Sequence, residues 1–197
     1  MANIFYYGFI NLMILLFRQL YYRIKIPNSR FIRGKIDLRG FKAMKFGNGF
    51  TCGIGCRFET RKKNSDLSLS IGDNVQFNDY IHITAYEKVE IGDNVLMASK
   101  IYISDCSHGS YKGNEFDSNP NIPPNDRKLF TKPVVIGNNV WIGEFVSILP
   151  GVTIGEGSII GSNSVVSKNI PSNVIAVGTP AKPIKKFNFQ TAIWEKI

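Results

Sequence analysis

Two histidines, His82 and His108, and three cysteines, Cys52, Cys56 and Cys106, are the imidazoles and thiols this 197-residue chain offers for acid–base or nucleophilic chemistry near neutral pH. A neutral imidazole with a pKa near about 6.5 can take a proton from a hydroxyl at neutral pH. His82 lies between Ile81 and Ile83 in an alternating run, and His108 lies in Asp105-Cys106-Ser107-His108-Gly109. Taken alone, His108 reads better as a solvated loop histidine than as a base. Cys106 could act as a nucleophile only with a depressed pKa. Two histidines exclude His-rich metal sites, and an odd, small number of cysteines argues against a disulfide-stapled secreted fold.

What must position these residues is a period. Ile136, Ile142, Ile148, Ile154, Ile160 and Val166 recur every six residues. The same register returns at Ile91, Met97 and Ile103, at Ile71, Phe77 and Ile83, and at Phe46, Cys52 and Phe58. Glycine follows eight of these fifteen apolar positions, and another small or apolar residue precedes most by two, as at Val140, Val146 and Val152. Each unit is therefore a short strand with two inward side chains flanking one outward side chain, then a turn taken by Gly or Asn. Neither a helix nor a hairpin sandwich repeats strictly every six residues; a parallel β-solenoid does.

Grouped in threes, the units predict five coils starting at residues 46, 71, 91, 136 and 154. The coils form a triangular prism rising about 4.8 Å per coil. The register breaks at 60–69, around 85–90 and over 104–132, and the last insertion must leave the prism as a loop. Trp141, between inward Val140 and Ile142, must face outward from the second face, where an exposed indole calls for a partner chain or a ligand. His108 leaves the corner between the third and first faces, opposite Trp141. The two are expected to meet only across two copies of the chain.

The formal net charge of +9 is not spread evenly. Residues 1–45 hold nine Lys/Arg and one acid, whereas residues 46–197 hold fifteen Lys/Arg and fourteen acids. A nearly neutral body without a recognition motif excludes a nucleic-acid reader. The apolar run Ile4 to Phe17 is shorter than the roughly 20 residues of a spanning helix and carries no secretory-signal pattern. Arg18, Arg23, Lys25, Arg30 and Arg33 follow it, with Tyr21 and Tyr22 among them. Residues 4–33 thus suit either peripheral contact with an anionic membrane or a helix closing the end of the solenoid. The organisation expected is an N-terminal segment over 1–45, a solenoid over 46–180 and a tail over 181–197.

The runs IGDNV, ISDCSHG and VIGNNVWIGEFVSILPGVTIGEGSIIGSNSVVSKNIPSNVIAVGTPAKPI resemble the left-handed β-helix hexapeptide acyltransferases. The nearest branch is that of the sugar O-acetyltransferases, which includes enzymes that decorate O-antigen and capsule and the galactoside and maltose acetyltransferases. The resemblance covers residues 70–187. It implies an all-β, left-handed parallel β-helix, a homotrimer with active sites between subunits, and acetyl-CoA as donor, with no metal and no acyl-enzyme. It implies further that His108 is the general base, that Asn78 holds the acceptor and the developing oxyanion, and that Trp141 walls the acceptor pocket. Gly143 and Gly161 would leave a strip for the pantetheine arm, bonded near Glu144 and Ser162. Ser167, Lys168, Lys182 and Lys185 would reach the nucleotide end. Cys106 departs from the pattern, since many relatives carry Asp-His-x-His-Gly here, and no acidic partner for His108 carries over.

The activity implied is transfer of an acetyl group to a sugar hydroxyl in surface polysaccharide or lipopolysaccharide biosynthesis. Its place would be the cytoplasm, at the inner face of the membrane. An N-acetyltransferase of amino or nucleotide sugars and a non-catalytic β-helix scaffold are the alternatives. A zinc hydratase of the γ-carbonic-anhydrase type needs three histidines and is excluded.

Overall fold

A computed structural model describes residues 8–61 and 67–197; residues 4–7 of the apolar run lie outside them. The described residues form three parallel sheets, which are the faces of one prism, and a two-stranded ribbon that stands off it. The first face stacks Met44–Phe46, Leu69–Ile71, Val89–Ile91, Val134–Ile136 and Thr153–Ile154. On the second face Cys52, Phe77, Met97, Ile142 and Ile160 share one register column, and on the third Phe58, Ile83, Ile103, Ile148 and Val166 do.

The prism also takes in residues upstream of 46. Phe31–Ile32 pairs with Thr51–Cys52, and Asp37–Arg39 pairs with Arg57–Glu59. The period hides this coil because a 3₁₀ turn at Phe41–Ala43 sets Phe46 eight positions after Leu38 instead of six. At the other end Val174–Gly178 extends the second face, and the sheet continues antiparallel through Ala181–Asn188 and Ile193–Lys196.

Inward residues fill the prism without gaps in the pattern. Phe50, Phe58 and Phe77 meet edge-to-face near its N-terminal end, with Phe77 centroids 5.4 and 5.7 Å from the other two rings. Ile83, Met97, Ile103, Ile142 and Ile148 are fully buried above them. In the last coil two inward positions are serines. The Ser158 hydroxyl donates to the Pro171 carbonyl at 2.7 Å, and Ser164 Oγ accepts the Gly178 N–H at 3.0 Å. These bonds satisfy the chain where it leaves the six-residue rule.

The corners explain the IGDN motif. Asp73 Oδ1 accepts the Asn48 N–H at 2.7 Å, Asp93 Oδ1 the Asp73 N–H at 2.7 Å, and Asn138 Oδ1 the Asp93 N–H at 2.8 Å. Each turn side chain thus caps an amide of the coil below. The following residue, Asn74, Asn94 or Asn139, takes positive φ, which asparagine tolerates better than most residues.

A helix, α1 (Phe9–Lys25), lies over the N-terminal end. Leu15 and Tyr22 are buried on it, and Tyr22 Oη accepts the Ile36 N–H at 2.7 Å. Gln19 donates to the Ile32 carbonyl at 2.9 Å and Arg18 to the Arg33 carbonyl. The helix therefore closes the open end, as one of the two expectations for this segment requires.

The strand parity gives a direct check. Ile91 is buried inward, whereas its neighbour Glu90 faces outward in a solvent-exposed pair with Lys88. Ile91→Ala is expected to cost about 2–5 kcal/mol in urea unfolding, and Glu90→Ala about 1 kcal/mol or less.

Candidate active site

At the corner after Tyr102–Ser104 the chain turns out of the prism. Cys106–His108 then pairs antiparallel with Leu129–Thr131, placing His108 opposite Leu129. Asp105 stays behind, fully buried. Its carboxylate accepts the N–H groups of Tyr86, Glu87 and Lys88 at 2.9, 2.7 and 2.7 Å. Burial pushes its pKa up, and the three amide donors pull against that rise. Asp105 therefore clamps the 86–88 turn at the foot of the ribbon.

The imidazole of His108 is exposed, with Nδ1 3.1 Å from the Pro124 carbonyl oxygen. A carbonyl can only accept, so this contact requires the proton on Nδ1, which in the neutral ring leaves the lone pair on Nε2. The loop is built to hold that carbonyl in place. Tyr111 Oη donates to the His108 carbonyl at 2.6 Å. Arg127 donates to Tyr111 Oη at 2.7 Å, to the Ile122 carbonyl at 2.8 Å and to the Pro120 carbonyl at 3.2 Å. The guanidinium thus gathers both arms of the loop around the 3₁₀ turn Pro124–Asp126. Sequence reading missed Pro124, Tyr111 and Arg127, because a backbone acceptor leaves no side-chain signal and neither Tyr nor Arg is unusual in a polar loop.

The other sulfur and imidazole groups have quieter surroundings. Cys106 is half-buried beside Ser104 Oγ at 3.5 Å, and burial pushes its thiol up, away from nucleophile chemistry. The His82 ring meets the edge of Tyr102 at 5.4 Å between centroids; burial and the nearby Arg57 hold its pKa down.

A second set of groups lies along the corner between the second and third faces. Strand register stacks Asn78, Ala98, Gly143 and Gly161, the residues that follow Phe77, Met97, Ile142 and Ile160. Val177 continues the column and pairs with Lys182. Coil stacking favours glycine at Gly143. A Cβ at Gly143 would stand 2.7 Å from the Ser162 amide nitrogen, just as one at Gly137, on another corner, would stand 2.7 Å from that of Glu156. Glu144 donates its N–H to Ser162 Oγ at 3.1 Å, and its carbonyl accepts the Asn163 N–H at 2.8 Å. One row over, Trp141 is 50% exposed and aligns with Leu96, Ile159 and Ile175, then with Lys185.

Ser167 and Lys168 fall elsewhere. They follow Val166, exposed on the corner from which the His108 ribbon departs. One chain therefore brings Asn78, Trp141, Gly143, Glu144, Gly161, Ser162, Lys182 and Lys185 together on one side. It sets His108, Ser167 and Lys168 on the other. Among the described residues no group of three His, Cys, Asp or Glu side chains is arranged to hold a metal ion.

A three-sided parallel β-helix of six-residue units is the architecture of the hexapeptide-repeat transferases, whose coils are left-handed. The family profile described as bacterial transferase hexapeptide (six repeats) matches residues 133–168. The chain is 45% identical over 174 residues to WbbJ of Escherichia coli K12, named for lipopolysaccharide-biosynthesis O-acetyl transfer, covering 88% of this chain and 87% of WbbJ. It is 40% identical over 121 residues to the galactoside O-acetyltransferase of the same strain, covering 61% of this chain and 55% of that protein. Among solved structures, galactoside acetyltransferase in complex with coenzyme A superposes with a TM-score of 0.53 at 29% identity, covering 84% of this chain and 72% of that one. AntD, an N-acyltransferase from Bacillus cereus, shares the fold with a TM-score of 0.67 at 23% identity, covering 82% of each chain. The chain belongs to the hexapeptide-repeat acyltransferases, in their sugar O-acetyltransferase branch, and it is an acetyltransferase. Enzymes of this kind are typically trimers.

The tautomer is open to measurement. Nitrogen-15 NMR of the neutral imidazole of His108 is expected to show Nδ1 protonated and Nε2 bare; the reverse assignment would remove Pro124 as its orienting partner.

Proposed function

We propose that the protein is an acetyl-CoA-dependent O-acetyltransferase that modifies a sugar hydroxyl in surface polysaccharide biosynthesis, with His108 as general base. The observation that carries this is the orientation of His108, whose Nε2 is left bare and outward by the Nδ1–H bond to Pro124. A sugar hydroxyl is a poor nucleophile at neutral pH. Removal of its proton by Nε2 as the oxygen attacks the thioester carbonyl contributes about 10²–10⁴ in rate. The imidazolium then returns the proton to the departing thiolate.

Other groups follow from where they sit. The Asn78 amide is assigned to the acceptor and the developing oxyanion, and the Trp141 indole to one wall of the sugar pocket. Acetyl-CoA supplies the thioester. Its pantetheine arm fits the side-chain-free column at Gly143 and Gly161, beside Glu144 and Ser162. The cations Lys182 and Lys185 stand at the end of that column and of its neighbouring row. Lysine offers phosphates a point charge without the fork of arginine. Ser167 and Lys168 complete the nucleotide end from the opposite corner, which the same chain cannot bring round. We therefore assign the complete site to the interface of a homotrimer, with the ribbon of one subunit facing the glycine column of the next.

The resemblance to WbbJ, named for lipopolysaccharide biosynthesis, supports a surface-glycan acceptor, and the apolar and basic residues 4–33 support a lipid-linked one, met at the inner face of the cytoplasmic membrane. No helix among the described residues is long and apolar enough to cross a membrane.

Incubation with acetyl-CoA and candidate glycans, followed by thiol release, tests the reading. A base-labile product identifies an ester, and a base-stable amide would move the acceptor to an amine. His108→Ala is expected to lose more than about 99% of turnover while acetyl-CoA affinity stays within about threefold; near-normal turnover would count against the base. Lys182→Ala should raise the KM for acetyl-CoA several-fold and leave kcat nearly unchanged.

A further inference from the structure

Helix α1 is mounted inside out. Its polar side chains Arg18 and Gln19 hold carbonyls of the first coil, and only Leu15 and Tyr22 are buried. The opposite arc carries Phe9, Ile10, Phe17, Leu20 and Ile24, all more than half exposed, with Ile24 at 83%. At 100° per residue these side chains share one face, with Arg23 at one margin and Lys25 at the other. A continuous apolar face of this kind on a folded protein marks an interaction surface.

The charge identifies the partner. Residues 8–36 contain six cations, Arg18, Arg23, Lys25, Arg30, Arg33 and Lys35, and no acid. Between α1 and the strand Asp37–Arg39 lies a cleft of about 640 Å³, onto which Arg18, Lys25 and Lys35 open against the single carboxylate of Asp37. A self-complementary contact between two copies would set these like charges against one another. With 17 residues the helix is about 26 Å long and too short to span a bilayer, but it can lie in the plane of one.

The geometry points to α1 as an in-plane anchor for an anionic phospholipid surface. The arc of Phe9, Phe17, Leu20 and Ile24 enters the acyl boundary, Arg23 and Lys25 reach back to the headgroups, and the basic cleft takes a lipid phosphate. Because Arg18 and Gln19 fasten the helix to the first coil, the prism is held with its N-terminal end against the membrane. This deepens the reading of an enzyme at the inner membrane face. Its readout is vesicle binding and not turnover, so the two can fail separately.

The test is co-sedimentation of the full chain with phosphatidylcholine vesicles and with vesicles containing about one-quarter phosphatidylglycerol. Binding to the anionic vesicles is expected to exceed binding to the neutral ones by about tenfold or more and to fall with salt. The double variant Leu20→Glu, Ile24→Glu changes only exposed positions. It should bind about tenfold or more weakly while keeping the wild-type melting temperature and its turnover of a soluble acceptor. His108→Ala should sediment as the wild type does. The proposal is overturned if the wild type stays in the supernatant, if the double variant binds as the wild type does, or if light scattering shows the arc holding copies of the chain together without lipid binding.

Discussion

Everything in this molecule depends on the vertical stacking of coils. Each strand bonds in parallel to the strands above and below, and this fixes coil spacing along the whole prism. Corner side chains repeat the same bonding, as in the line Asn48, Asp73, Asp93 and Asn138. Inside, each apolar pair packs on the pair of the next coil. A side chain is crowded at Gly143 and Gly137, because the amide of the coil above would stand 2.7 Å from an added Cβ. At Gly143 the bare strip assigned to the donor is thus first a packing requirement, and a channel only as a result.

A rigid ladder also constrains where chemistry can occur. Side chains on the faces are held at fixed spacing but cannot converge, because they diverge outward from three flat sheets. Only an insertion that leaves the ladder can overhang a neighbouring surface. The ribbon of Cys106–His108 and Leu129–Thr131 does this at one corner. Asp105 anchors its foot by filling the 86–88 turn, and Arg127 and Tyr111 stiffen its far end. Convergence of His108 with the glycine column then needs a second prism, which gives the homotrimer proposed here a geometric cause.

An open solenoid end would expose both strand edges and the phenylalanine-rich first coils. Helix α1 resolves this with few buried apolar residues and several polar bonds to carbonyls. The remaining apolar side chains face away from the prism. That division separates the work of closing the fold from the work of the outward surface.

Much of this was legible in the residues. A six-residue apolar period has one physical solution, so the faces, the corners and the outward direction of Trp141 could be read directly. The ejected loop could be read too, because it breaks the period. The coil at Ile32 and Leu38 could not, since a two-residue insertion before Phe46 erases its phase while leaving its pairing intact. Handedness came only through likeness to a family. The chain's own sequence determined the period and hence the prism, because burial on a repeating backbone is a local, periodic property. Tertiary structure alone decided that Asp105 serves a turn, that the Pro124 carbonyl sets the His108 tautomer, and that Ser167 and Lys168 sit on the far corner from Lys182. Those relations join residues through backbone atoms and through folding in three dimensions, neither of which residue spacing encodes.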